Sequence, residues 1–360
     1  MEESIQETRN LSTKRGFLFW TIALTILLAV VVVGAIAIGS TYIEPGEVYK
    51  VLLNKLSNGI LFGDVGTVMT QNIIWEIRFP RVLLGALCGS GIALCGVLMQ
   101  CVTKNPIAEP YMLGISSGAS CGAVAVIVLG GISSIGINSI SVGAFAGSIL
   151  SGVLVFAIGT QMGKTTSTTR LVLTGMAIST IFSALTNLLI YSADNSNQAK
   201  NALFWTIGSL GGAKWEVLLF PFIVLVIVII ITFIMSKSLD ILLLGDDSAI
   251  ILGINVKMIK SIILVLATLL TSSLVAITGA IGFIGLVVPH ISRTIAGSDH
   301  KKLIVLSTLM GAIFLIVSDV LARGLFPPIE IPIGIITALI GGPFFLYLIS
   351  KKNYSFGGND

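Results

Sequence analysis

Charge is what this sequence has least of. Its 21 Lys and Arg and 17 Asp and Glu make up 11% of 360 residues, where an ordinary soluble domain holds ~25%. Histidine is rarer still, with His290 and His300 alone, which excludes a histidine-rich metal centre and an HExxH hydrolase. The four cysteines, Cys88, Cys95, Cys101 and Cys121, form no CxxC pair, so no metal or redox site is expected. Cys88 and Cys95 share one helix face, which suits small packing residues. The apolar runs hold no paired carboxylates and no Ser–His–Asp set, so enzyme chemistry has no seat. One stretch, "GTQMGKTT" at 159–166, imitates a phosphate-binding loop. The pattern GxxxxGK[ST] needs glycine at 158, where Ile158 stands, and an apolar helix rather than a strand precedes it. Any ATP-driven work therefore falls to a partner.

What is present is apolar length. Hydrophobic residues make up 55% of the chain, mean hydropathy is +1.01, and glycine occurs 39 times, as in helices that pack backbone to backbone in lipid. Apolar runs fall near 17–39, 82–102, 112–130, 139–161, 171–191, 217–236, 259–280, 282–296, 303–321 and 331–349. A bilayer core needs ~20 apolar residues per helix, so the sequence predicts an all-α polytopic membrane protein with about ten transmembrane helices. The eighth run is short and should be partly covered by neighbours. The stretch 40–81 is mixed in polarity and reads as interfacial. "AIA" at 35–37 would pass as a signal-peptidase site, but the apolar run is too long for a signal segment, so 17–39 is read as a retained helix.

The domain reading is a cytoplasmic segment 1–16, a transmembrane domain 17–350 and a cytoplasmic tail 351–360. An even number of spans puts both termini on one side. With that side cytoplasmic, fourteen basic residues lie inside, and Lys50, Lys55, Arg78, Arg81, Lys200, Lys214 and Arg323 lie outside. The positive-inside rule favours this orientation. It leaves Arg78, Arg81 and Arg323 exposed on the outer face, each beside a span. Asp319, four residues before Arg323, lies within a span and can neutralise it. Small residues at spacing four, Gly85–Gly89–Ala93 and Gly114–Gly118–Gly122, form ridges for close helix approach.

Two segments are irregular. "SLDILLLGDDSAIILGINVKM" (238–258) is the longest cytoplasmic connection, and reads as a short amphipathic helix with Asp246 and Asp247 in its first turn and Gly253 as its stop. A helix offered to the cytoplasm with no soluble domain to cover it suits docking into a partner's groove. In "GAIGFIGLVVPHISR" (279–293), Gly279, Gly282, Gly285 and Pro289 interrupt a span. Such breaks are tolerated where protein or a water-filled path covers the freed backbone. His290 and Arg293 stand one turn apart there, in a structural role at a helix end.

These segments, with "IRFPR", "GVLMQ", "NPIAEPYMLGISSGAS", "SDVLAR" and "IPIGIITALIGGPFF" in this order, bring a family into view. From residue 20 to 350 the chain resembles the FecCD-like permease subunits of the ABC importers for ferric siderophores, haem and cobalamin. The resemblance implies a type II importer permease architecture in the cytoplasmic (inner) membrane, with ten helices and cytoplasmic termini. It also implies a second permease, identical or not, two cytoplasmic ATPase subunits, an extracytoplasmic substrate-binding protein and no cofactor. Arg78, Arg81 and Arg323 match the arginines that receive acidic residues of the binding protein, a role suited to guanidinium forks; snorkelling at the lipid interface is the plainer alternative. The segment 238–258 matches the coupling loop that docks on the ATPase, with Gly245, Asp246, Ala249, Leu252 and Gly253 at motif positions. Asp246 stands where many relatives have glutamate. Asn105, Ile107, Thr168 and Thr169 match positions at the cytoplasmic end of the path and are gate candidates. "FWTIGSLGG" (204–212) resembles the family's short outer helix. The cargo so implied is a ferric siderophore, with cobalamin or haem as alternatives. An ion-coupled carrier acting alone is the rival from another class, disfavoured by the scarcity of buried ionisable groups.

Overall fold

Long apolar runs dictate helices wherever the backbone cannot bond to water, and helices account for all the regular structure among the described residues. The computed structural model describes residues 2–39, 41–62, 66–130, 139–161, 168–326 and 329–350. The tail 351–360 and most of 159–166 lie outside them. The α-helices are α1 (Glu2–Ala37), α2 (Pro45–Leu56), α3 (Val68–Asn72), α4 (Phe79–Thr103), α5 (Ile115–Leu129), α6 (Ser139–Gln161) and α7 (Thr168–Tyr191). They continue with α8 (Ser196–Ile207), α9 (Trp215–Ile234), α10 (Ser236–Leu242), α11 (Asp246–Ile251), α12 (Val256–Thr278), α13 (Ile284–Ala296), α14 (His300–Gly324) and α15 (Ile333–Ser350). Eight segments are long and apolar enough to cross a membrane, and α5 and α13 are shorter apolar helices. Together these ten coincide with the ten runs read from the sequence.

Three boundaries differ from the sequence reading. The second span does not begin at 82. α3 continues through a π-helical turn, Ile73–Arg78, into α4, so that Val68–Thr103 is one helical segment. Its first part, 68–81, is mixed in polarity, which hides the continuity from a hydropathy window. The third span is preceded by a 3₁₀ turn, Pro110–Leu113, that Gly114 ends in a left-handed conformation (φ 68°). In "FWTIGSLGG", helix α8 stops at Ile207, because Gly208 (φ 89°) turns the chain.

α4 is the centre of the molecule. Along it, glycines let neighbouring helices touch backbone to backbone. A Cβ on Gly89 would strike the carbonyl of Gly311 on α14, and one on Gly96 would strike that of Gly285 on α13. The second ridge does the same for α5 and α6, where Gly118 meets Gly147 and Gly122 meets Gly143. Cys88, Cys95 and Cys101 are fully buried in the α4 core.

The break between α12 and α13 is covered as a membrane requires. Tyr111 Oη donates to the carbonyl of Ile281 (2.9 Å) and accepts from its N–H (3.2 Å). Phe283 enters α13 in the left-handed region (φ 70°) with no cap from its own side chain. Instead the Glu109 carboxyl faces the N–H groups of Phe283 and Leu286. This partly buried acid was not singled out in the sequence reading.

Candidate functional site

The chemistry-bearing side chains gather at the two ends of the α4–α14 pair. At the first end, α1 runs out at Ala37, and the last carbonyls of a helix have no partner within it. Arg78 reaches them. Its Nη1 donates to the carbonyls of Ile36 (2.6 Å) and Ala37 (3.1 Å), and its Nη2 to the carbonyl and Oγ1 of Thr41. Arg323 adds bonds to the carbonyls of Ile38 (3.0 Å) and Ala35 (3.1 Å). Two guanidiniums from distant segments thus cap one helix, a favourable place for positive charge.

Arg78 and Arg323 are therefore 5% and 8% exposed, not open on the surface as the sequence suggests. The π-helical turn sets this geometry. Its extra residue rephases the helix before α4, and the Trp215 indole N–H bonds the carbonyl of Trp75 within it (3.0 Å). Trp75, Phe79 and Trp215 stack around that bond with ring centroids 4.9–5.5 Å apart, an aromatic cluster of the kind found at membrane interfaces.

Arg81 makes a different set of contacts. Its Nε and Nη2 lie 3.0 Å from Oδ1 of Asp319, and its Nη1 lies 2.8 Å from Oε2 of Glu330. Asp319 also pairs with Arg323 through Nε at 2.9 Å. The pairing of Asp319 with Arg323 is thus present, but the carboxylate is shared between two arginines. Glu330 is half exposed (52%) and is where this cluster meets solvent. Sequence reasoning passed it over; its signal was a lone acid between prolines in "FPPIEIP".

At the other end, helix α11 forms the centre of the segment 238–258. Gly245 (φ 118°, ψ 153°) and Gly253 (φ 81°) bracket it in conformations that residues with a Cβ rarely adopt. Ala249 is buried beneath it. Leu244, Ile250, Ile251 and Leu252 stand exposed, Ile251 at 85%.

Asp246 turns its carboxylate toward the spans, while its side chain stays 40% exposed. Its Oδ2 accepts from Nζ of Lys260 on α12 (2.6 Å), and its Oδ1 pairs with Nζ of Lys104 (2.8 Å) at the end of α4. Burial raises the Asp246 carboxyl, but Lys104 and Lys260 outweigh it and hold it below the usual carboxylate range. Lys260 is 2% exposed, so Asp246 is the partner that makes its burial tolerable. A second acid ties the same region down. Asp240 on α10 accepts from the N–H of His300 (3.0 Å) and lies 2.6 Å from its Nδ1, which fixes α10 to the start of α14. Neither tie was legible in the sequence.

Asn105 follows Lys104 directly. Its Oδ1 accepts from the N–H of Ile107 (3.1 Å) and shapes the turn out of α4. Ile107 packs beside Leu286, Val287 and Leu348. Thr169 is exposed at the start of α7, and the side chain of Thr168 lies outside the described residues. His290 and Phe344 stack edge to face at 6.0 Å.

Comparison with known proteins gives the chain's relatives. The model of the FecCD transport family matches residues 26–351. The cobalamin import system permease protein BtuC of Halobacterium salinarum is 38% identical over 78% of this chain and 74% of its own. The Fe(3+)-citrate import system permease protein YfmE of Bacillus subtilis is 38% identical over 91% of this chain and 93% of its own. Among solved structures, an inward-facing transporter assigned to the metal-chelate type of ABC transporters superposes with a TM-score of 0.79. It is 31% identical and covers 92% of this chain and 98% of its own.

Proposed function

This chain belongs to the FecCD transport family, as a membrane permease of an ABC importer, and from that premise we propose that it passes a ferric siderophore across the cytoplasmic (inner) membrane. The similarity to a ferric-citrate permease over nearly the whole chain supports an iron chelate. The cobalamin relative supports the second reading, a vitamin importer of unchanged mechanism; haem is the third. Family membership sets the lone ion-coupled carrier aside.

The observation that carries the mechanism is the division of labour between the ends of one helix pair. Arginines cluster where α4 begins and α14 ends, and an exposed apolar helix is moored where α4 ends and α14 begins. In the importer reading the arginine end faces outward and the termini lie inside. A substrate-binding protein then docks over Arg78, Arg81 and Arg323, and ATPase subunits bind α11 and its flanks. Arg81 is the arginine through which an incoming carboxylate acts directly, since Arg78 and Arg323 are buried and engaged at the end of α1, at Thr41 and at Asp319, and hold the platform. A second permease completes the path, and Asn105, Ile107, Thr168 and Thr169 line its inner mouth. Docking and ATP-driven closure would favour different states of the same rigid bodies.

The test is uptake of labelled ferric siderophore and labelled cobalamin, in parallel, in cells with and without the gene. Loss of the iron signal alone is the expected result. Loss of the cobalamin signal alone would replace the cargo and leave the mechanism. An unchanged signal in both would overturn the two readings together.

A further inference from the structure

Asp246 is the one side chain of α11 that holds ion pairs to the spans, and it holds two. Lys104 ends α4, in the left-handed conformation (φ 50°) that stops the helix. Lys260 lies one turn inside α12 and is buried. Asp240, six residues earlier, is tied to the first residue of α14. The α4–α14 pair is closely packed where Gly89 meets Gly311, and near the far end it is cross-tied by Arg81 and Asp319. A displacement of α11 is therefore delivered to the end of a stiff two-helix beam, whose other end carries the arginine cluster. Packed interiors shift between discrete arrangements rather than bending continuously.

We propose that Asp246 and Asp240 are positioning residues that couple ATP hydrolysis to transport, by mooring the ATPase-docking helix to the α4–α14 beam through Lys104, Lys260 and His300. The inference rests on the reading of 238–258 as the ATPase-docking segment, and adds that Asp246 faces away from the ATPase. The exposed contact then belongs to Leu244, Ile250, Ile251 and Leu252. Without the mooring, α11 can follow the ATPase while the beam stays behind, so ATP is hydrolysed without transport.

The test uses the complex purified through a tag on this chain, in proteoliposomes, with ATP hydrolysis and uptake of labelled ferric siderophore measured on the same preparation. Asp246→Asn is expected to keep the ATPase bound and hydrolysing while uptake per ATP falls about tenfold. Asp246→Glu should restore it. Lys104→Asn, which tolerates the left-handed conformation and leaves Lys260 paired, should give a partial loss and keeps the test open if Asp246→Asn fails to accumulate. Unchanged uptake per ATP in both Asp246→Asn and Lys104→Asn would overturn the mooring, as would an ATPase that no longer co-purifies with Asp246→Asn. The docking reading itself fails separately, if Ile250→Asp with Ile251→Asp leaves ATPase co-purification intact.

Discussion

Arg81 on α4 and Asp319 on α14 lie 238 residues apart in sequence and meet at 3.0 Å through both Nε and Nη2. Asp319 holds Arg323 as well, and each of these arginines performs a second task. Arg323 closes the end of α1, and Arg81 reaches Glu330 at the surface. One buried carboxylate therefore joins the first helix, the central helix and the surface cluster.

Removing that carboxylate should be costly. Asp319→Asn leaves two nearly buried guanidiniums without their shared anion, and breaking a buried pair in this way costs about 3 kcal/mol or more. A clear drop in the melting temperature of the purified permease is expected. A melting curve unchanged from wild type would show that solvent reaches the cluster more freely than its burial indicates.

Glu330 makes the opposite case. It is half exposed, so Glu330→Gln should change stability by less than ~1 kcal/mol. Under the docking reading it also competes for the Arg81 fork with any incoming carboxylate. Glu330→Gln should then lower the concentration of binding protein needed for half-maximal uptake. A rise in that concentration would mean that Glu330 helps to receive the partner instead. Arg81→Glu is the poorer test, because it sets a second carboxylate against Asp319.

Close helix contacts give a third expectation. In Gly89→Ala the new methyl group would meet the backbone of Gly311, which cannot rotate away, and a cost of about 1–3 kcal/mol follows. Gly282→Ala places its methyl in open space and should be nearly neutral. Thermal melting of the two variants side by side checks the contrast.

The mooring of α11 also has a sign in pH. The folded state lowers the Asp246 carboxyl below its ordinary 3.8, because Lys104 and Lys260 outweigh burial. Its contribution is complete above the unfolded value and is lost as pH falls through the lowered folded value. Hydrogen-exchange protection over 245–253 should stay level from pH 8 to about 5 and fall only in stronger acid. Loss of protection near pH 6 would point to another group.

Apolar run length is a one-dimensional signal, and the ten spans were legible because nothing in a bilayer competes with it. The glycine ridges of α4 and α5 were legible for a similar reason, since spacing four survives in any helix. The arginines were legible as a set, but not their burial. Arg78 is drawn inward by carbonyls at Ile36 and Ala37, 41–42 residues away, and no local pattern announces a helix end in need of a cap. Lys260 read as one cytoplasmic cation among fourteen, and only the fold brings Asp246 against it. Asp240 with His300, and Glu109 with the start of α13, stayed hidden because both partners are ordinary in isolation. The π-helical turn had no hydropathy signature at all.

The caps on α1 come from later parts of the chain, and that sets an order of assembly. A ribosome releases Ala35–Ile38 almost 290 residues before Arg323, and domains made during synthesis settle from the N-terminus onward. During that interval the end of α1 has at most one of its two guanidiniums. A nascent chain cut short before α14 leaves its first helix half-fastened, and it is the ninth of the ten spans that fastens it.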